Sequence, residues 1–221
     1  MTSLTFSNGV TSLGRFMFEG CPNLTNIVLG NTITSIDYCT FLGCSSLSSV
    51  TVSGSVTHLG GAFYYCTSLT NFTIPANVTS IGYGMFSGCT NLASVYIEGN
   101  APAIVANEYE APDYVFGYDN NAKVYYLPGT TGWSNTFAGV PAVLWNPQIQ
   151  TADGNFGLRG NHFGFNITGT TSIPIAVQAC SNLANPVWTS LTNGTLTNGS
   201  FHFSDPVPAN NSPRFYRICA P

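Results

Sequence analysis

Charge is what this 221-residue chain has least of. Only 6% of its residues are Asp, Glu, Lys or Arg, against about 25% in an average globular domain. Five basic and nine acidic residues leave a formal net charge of -4. The basic residues nowhere cluster, which excludes nucleic-acid binding driven by counterion release. No apolar run reaches the roughly 18 residues of a membrane-spanning helix, so no membrane insertion is expected. Glu and Lys, which populate long helices, are scarce, and that excludes a helical architecture. The opening MTSLTFSNGV has neither a basic n-region nor an apolar h-region and is not a signal peptide. His58, His162 and His202 fall in no HExxH pattern, and neither CxxC nor GxSxG occurs. No cofactor, metal or catalytic residue is therefore expected.

What the chain does have is 44% hydrophobic residues, arranged with a fixed period. Phe18, Phe41, Phe63 and Phe86 are 23, 22 and 23 residues apart, and Cys21, Cys44, Cys66 and Cys89 keep nearly the same step. Leu24, Leu47, Leu69 and Leu92 form another ladder, as do Leu4, Ile27, Val50, Phe72 and Val95. A period in the twenties is the signature of a solenoid, in which one coil cannot bury its apolar face alone and stacking makes a continuous core. Each unit reads as a short strand, a turn, a second extended piece and a tight segment ending in the aromatic and the cysteine. Equivalent residues in stacked coils sit about 4.8 Å apart, so the ladder cysteines are expected to be buried, reduced small hydrophobes. Repeat 3 is one residue short, and Tyr65 replaces the Gly found at positions 20, 43 and 88.

The fifth repeat departs from the pattern over 98–121, an expanded loop, before Ala122–Pro128 resumes it seven residues late. Residues 128–145 read as a cap in which Trp133, Phe137 and Trp145 seal the core. From about residue 148 the rhythm is lost. Short strands at Phe163–Ile167, Ile173–Gln178, Val187–Trp188, Ser200–Phe203 and Arg214–Ile218, with hairpin turns at Asn193-Gly194 and Asn198-Gly199, predict a small antiparallel β-sandwich. A Cys180–Cys219 disulfide is open on sequence alone.

The unit at 69–91, LTNFTIPANVTSIGYGMFSGCTN, closely resembles the BspA-type leucine-rich repeat, and the resemblance runs through residues 1–97. Val124–Trp133 looks like the segment that ends such arrays. Ser181–Trp188 with Arg214–Arg217 is similar to a β-sandwich module found at the ends of large secreted bacterial proteins. The expected fold is thus mainly β: a leucine-rich repeat solenoid of about 23-residue repeats with its cap at 1–147, then a β-sandwich at 148–221. The resemblance implies a secreted or cell-surface bacterial protein that adheres to other proteins or cells and has no catalytic residues.

Such a solenoid binds along a surface. Outward residues of the first strand in each repeat, including Thr51, Asn71, Thr73 and Tyr96, are expected to stack into one continuous face with Tyr96 as its large anchor; the other reading is that Tyr96 packs against Tyr125. Tyr109 and Tyr114, in the acidic loop that carries Glu98, Glu108, Glu110, Asp113 and Asp119, extend this candidate partner site. The loop itself reads as a solvated acidic segment, a partner contact or a calcium site. The expected ligand is a protein; a glycan held on exposed tyrosines, or a purely structural spacer, are the alternatives. The repeat pattern is already under way at Met1, which predicts a longer natural protein. The chain is expected to be monomeric, with weak self-association through the open edge at residues 1–6.

Overall fold

The computed structural model describes residues 2–105, 112–118, 121–208 and 213–221. The chain divides into two compact units, Met1–Val143 and Leu144–Pro221.

In the first unit every coil has three sides. The first side carries β1 (Ser3–Thr5), β3 (Asn26–Val28), β5 (Ser49–Thr51), β7 (Asn71–Ile74), β9 (Ser94–Ile97) and β11 (Lys123–Tyr126). The second carries β2 (Ser12–Leu13), β4 (Ser35–Ile36), β6 (His58–Leu59), β8 (Ser80–Gly82) and β10 (Ala103–Val105), one continuous parallel sheet. The third is a tight turn region that ends in the ladder phenylalanine and cysteine, replaced in the fifth coil by a 3-10 helix, Pro112–Phe116. The expanded segment is therefore not simply a loop. It supplies β10, with Ile104 paired to Ile81 at the normal 23-residue offset, whereas Phe116 follows Phe86 by 30. The extra seven residues fall between β10 and Phe116, the stretch that is the third side in other coils. One is recovered after it, since Lys123 pairs with Ser94 at an offset of 29, so the strand resumes six residues late and not seven. The missing residue of repeat 3 is lost on that side too. Leu59 and Phe63 are separated by four positions where Ile36–Phe41 and Ile81–Phe86 take five. Gly60 and Gly61 make the shortcut possible. A Cβ on Gly60 would lie 2.8 Å from the Asp37 carbonyl carbon, and one on Gly61 would overlap the Tyr83 carbonyl oxygen.

Inside the coils the ladders become columns. The rings of Phe18, Phe41, Phe63, Phe86 and Phe116 stack in sequence with centroids 5.4, 5.5, 6.3 and 5.6 Å apart and planes within 22° of parallel. Beside them the thiols of Cys44, Cys66 and Cys89 donate to the carbonyls of Phe18, Phe41 and Phe63 at 3.2, 3.3 and 3.1 Å. This explains cysteine at that place. It fills the space of a small hydrophobe and still satisfies a carbonyl of the previous coil. All seven cysteines are free; Cys44, Cys66 and Cys89 are buried and Cys21, in the first coil, is half-buried. On the outside of the corners, the hydroxyls of Thr25, Thr34, Ser48, Thr57 and Thr79 each bond a carbonyl of the preceding coil.

At the far end β12 (Thr136–Phe137) pairs antiparallel with β13 (Val140–Leu144), which joins β11. Phe137 and Val140 complete the core, and Trp133 lies flat on Tyr126, 4.7 Å between ring centres. Trp145 does not share this role. It belongs to the second unit, where its indole N–H donates to the Pro174 carbonyl, because the chain has by then left the coil path.

The second unit contains two antiparallel sheets. One joins β14 (Gln148–Gln150), β15 (Gly157–Arg159), β16 (His162–Thr168) and, pairing with β16, β19 (Ser200–Pro206); the other is ordered β18 (Thr189–Thr195), β17 (Pro174–Cys180), β20 (Phe215–Cys219). Phe163, Phe165 and Phe203 from the first sheet meet Tyr216 of the second at 5.2, 5.9 and 5.6 Å. The Tyr216 hydroxyl donates to Asp205, which also pairs with Arg214 at 2.7 Å. Burial, then the Asp205 carboxylate, pushes the Tyr216 phenol up to about 12.

Two details of this unit correct the sequence reading. Asn193-Gly194 is not a turn but part of β18, with Gly194 opposite Ile175. Glycine is needed there because a Cβ would overlap the Phe201 ring. Val187–Trp188 is not a strand, since the Trp188 ring is held under the Arg217 guanidinium at 4.4 Å. The other turn is as expected. Asn198 and Gly199 both have positive φ, 53° and 77°, the signature of a type I′ hairpin. Cys180 pairs across with Phe215 and Cys219 with Ala176. The two thiols are thus separated by four residues of strand, about 13 Å at 3.3 Å per residue, too far for a disulfide.

Two measurements follow from the columns. Phe63→Ala should lower unfolding free energy by about 3–5 kcal/mol in denaturant titration, since Phe63 is fully buried and its ring touches Phe41, Phe72 and Phe86. Burial pushes the Cys44 thiol up to about 11 and Cys66 well above its ordinary range. A raised folded-state value leaves stability intact below the unfolded thiol's pKa, about 8.5, and erodes it as pH climbs towards 11. Tm should be flat through neutral pH and fall above pH 9, and native Cys44, Cys66 and Cys89 should resist thiol reagents until the chain unfolds.

Candidate functional site

The outward residues of the first side do not make one uninterrupted face. β1, β3 and β5 form one sheet and β7, β9 and β11 belong to another. Among the described residues no backbone hydrogen bond joins β5 to β7. At this break Phe72 takes the inward place that Ile27, Val50 and Val95 hold in neighbouring coils. Its larger ring wedges against Phe63 and Phe86 at 5.0 and 5.1 Å. Outside the break lies an open groove of about 360 Å³ lined by Val50, Thr51, Val52, Gly54, Thr73, Pro75 and Glu98. Thr51 and Thr73, named from sequence, meet here. Asn71 is exposed on the same strand as Thr73, its amide directed to the Thr70 hydroxyl at 3.3 Å. The groove thus combines two threonine hydroxyls, one exposed carboxylate and the open edges of two strands. Its lining holds no nucleophile–base pair.

Tyr96 is not part of this surface. It is 6% exposed and stacks on Tyr125, 5.2 Å between ring centres and 20° between planes. The register of β9 and β11 places the two directly side by side, and flat rings at the strand spacing cover each other. The outward strand position therefore carries a buried pair, and packing against Tyr125 is the arrangement found. Tyr114, on the 3-10 helix, is half-buried. It lies parallel to Tyr83 at 5.1 Å and edge-on to Tyr118 at 5.8 Å. Hydrogen bonds with Tyr118 and with Tyr64 hold its phenol strongly protonated. Tyr109, Glu108, Glu110 and Asp119 lie outside the described residues, as does the side chain of Asp113. His58, which stands where other coils have Ser12, Ser35 and Ser80, is half-buried, with Nδ1 2.8 Å from the Ser80 hydroxyl. Among the described residues no three His, Cys, Asp or Glu side chains converge as a metal site would require.

Sequence reasoning missed a second set of residues, on the third side. Phe16, Tyr65 and Tyr118 are 47%, 48% and 67% exposed. All three have left-handed backbone, with φ of 56°, 56° and 64°. Tyr65 and Tyr118 occupy the place held by Gly20, Gly43 and Gly88, and Phe16 the place of Gly84; those glycines also have positive φ. A bulky residue in this conformation costs about 1–2 kcal/mol. For Tyr65 and Tyr118 the detectable signal was an aromatic at a repeat position whose other members are glycine; Phe16 shares its place with Cys39 as well as Gly84. Tyr38 and Tyr64 complete the set. The Tyr38, Tyr64 and Tyr65 rings cover Gly61, Gly84 and Gly88 of the next coil so closely that a Cβ on any of the three would collide with them.

Stacked parallel coils with leucine, phenylalanine and cysteine columns define a leucine-rich repeat solenoid. The chain belongs to the BspA type leucine rich repeat family, whose repeat region matches in six copies over residues 1–117, just over half the sequence. No curated protein matches. Among solved structures, a leucine rich cell surface protein from Faecalibacterium prausnitzii is similar at 22% identity and a TM-score of 0.47, over 56% of this chain and 32% of that one. A leucine rich repeat protein of T. pallidum is similar at 22% identity and 0.47, over 55% of this chain and 57% of the other. The chain thus corresponds to less than two thirds of either neighbour. No helix among the described residues is long and apolar enough to cross a membrane.

The buried stack relocates the expected effect of Tyr96. Tyr96→Ala should act as a core cavity, lowering unfolding free energy by about 3–5 kcal/mol in denaturant titration.

Proposed function

We propose that this chain is a non-catalytic recognition module of a secreted or cell-surface protein, and that it holds a protein partner on the first side of its solenoid. The groove between β5 and β7 carries this reading. There the stacked face opens, Thr51 and Thr73 present hydroxyls beside Glu98, and two strand edges are free of each other. Small, neutral side chains cost little to desolvate, and open main-chain groups suit an extended segment of a partner adding along the edge. With one carboxylate and no cation in the lining, association draws little on long-range steering. The second unit is read as a small β-sandwich, supported by two antiparallel sheets sharing the Phe165–Phe203–Tyr216 cluster.

Surface plasmon resonance of the 221-residue chain over purified extracellular-matrix proteins tests this. At least one should bind, and Thr73→Arg, which fills the groove from an exposed position, should weaken it tenfold or more, a step of about 1.4 kcal/mol. Binding that survives both Thr73→Arg and Thr51→Arg would move the partner off this face. A panel with no binder would leave the spacer role in its place.

A further inference from the structure

The third side of the solenoid carries aromatic rings along its length; Tyr38, Tyr64 and Tyr65 rest on glycines of the next coil, yet Phe16, Tyr65 and Tyr118 remain about half exposed or more. Phe16, Tyr38, Tyr64, Tyr65, Tyr114 and Tyr118 follow one another from the first coil to the fifth. Ring contacts link Phe16 to Tyr38, Tyr38 to Tyr64, Tyr64 to Tyr65 and Tyr114 to Tyr118, at 6.2, 6.5, 5.5 and 5.8 Å. Of the most exposed three, Tyr65 and Tyr118 stand in left-handed conformations that the same repeat elsewhere gives to glycine, and Phe16 in one it gives to Cys39 and Gly84. A strained, exposed aromatic gains little from burial. Its persistence directs attention to a role outside folding.

We infer that this aromatic track is a binding site for a neutral polysaccharide chain. Ring faces with a negative quadrupole attract the weakly positive C–H faces of a pyranose, and a tyrosine adds a hydroxyl to pair with those of the sugar. Tyrosine also loses little rotamer freedom on binding. Successive coils repeat at about 4.8 Å, close to the length of one sugar residue, so an extended glycan stays in contact as it runs along the solenoid. The charge on this side selects against an ionic ligand. Arg15, Glu19 and Asp37 lie in the first two coils, with Arg15 and Asp37 paired at 3.5 Å, and from Gly60 to Gly88 the sequence has no charged residue. A polyanion finds no row of cations and meets Asp113 and Asp119 beside Tyr114 and Tyr118 in the sequence, while between Gly60 and Gly88 a cationic peptide finds no carboxylate. This track is on a different side of the coil from the Thr51–Thr73 groove and does not depend on it.

Native gel electrophoresis of the full chain in gels containing soluble β-glucan, xyloglucan or galactomannan reads the affinity directly, with alginate as the anionic control. At least one neutral polymer should retard the protein, and alginate should not. Tyr65→Gly and Tyr118→Gly restore the residue the conformation favours. Each should leave the thermal midpoint unchanged or raised while weakening retardation tenfold or more, and Thr73→Arg should leave retardation as it was. A merely structural aromatic would give the reverse, a lower midpoint with retardation intact. No retardation by any neutral polymer, stronger retardation by alginate, or full retardation in both glycine variants would overturn the site. So would a chain that ignores all the polymers but binds a proline-rich peptide through Tyr118.

Discussion

The column of stacked phenylalanine rings is the constraint on which the solenoid depends. Each ring lies nearly parallel to the next, so coils must follow one another at close to a single ring-to-ring step. The backbone of the third side is tied to the same rhythm. The amides of Phe18, Phe41, Phe63 and Phe86 bond carbonyls of the following coil at 2.8–3.1 Å, and the thiols beside them reach back to the coil before. Main chain, ring and thiol therefore set one spacing three times over. The leucine and isoleucine columns fill the interior on those terms. A change of spacing at one rung is passed to its neighbours, as Phe72 shows, where an oversized inward ring coincides with the one place the first-side sheet divides.

Most of this was legible in the sequence because periodicity survives translation into three dimensions. A ladder residue has the same surroundings in every coil, so Phe41, Cys66 or Leu69 can be placed inside without knowing any neighbour. The strands expected at Leu24–Leu29 and Val78–Ile81 are found in their places as β3 and β8. Legibility failed where a residue's fate depends on the adjacent coil rather than on its own position. Tyr96 alternates outward, yet Tyr125 in the next coil covers it. Tyr65 was visible as a departure from glycine, but the left-handed backbone that gives the departure meaning belongs to the coil geometry. The break between β5 and β7 is marked in the sequence by the large residue at position 72 and the residue missing from repeat 3, neither of which specifies a lost strand pairing. In the second unit no period is available, and Asn193-Gly194, a strong local turn signal, was overridden by strand pairing and by the Phe201 ring that needs the glycine.

The two units also differ in how they use polar groups. The solenoid relies on neutral bonds, with hydroxyls on carbonyls repeated coil after coil, and the one ion pair among its described residues, Arg15 with Asp37, is exposed and contributes little. The second unit instead buries charge in one cluster. Asp205 is nearly buried and answers both Arg214 and Tyr216. Salt should scarcely touch the first arrangement, and removing any one member of the second leaves the others with unmet partners.

Both irregularities of length, the residue missing from repeat 3 and the seven added to the fifth coil, fall on the third side. The second side keeps its register across the first, with His58 opposite both Ser35 and Ser80, and β11 still pairs with β9 across the second. Here the fold separates a part that must keep count from a part that need not. Gene variation that adds or removes codons on the third side changes what the protein displays without disturbing what it stacks. A lineage of such chains can therefore explore new surfaces by small insertions, each tried against an unchanged interior, much as an alphabet is extended while the page ruling stays the same.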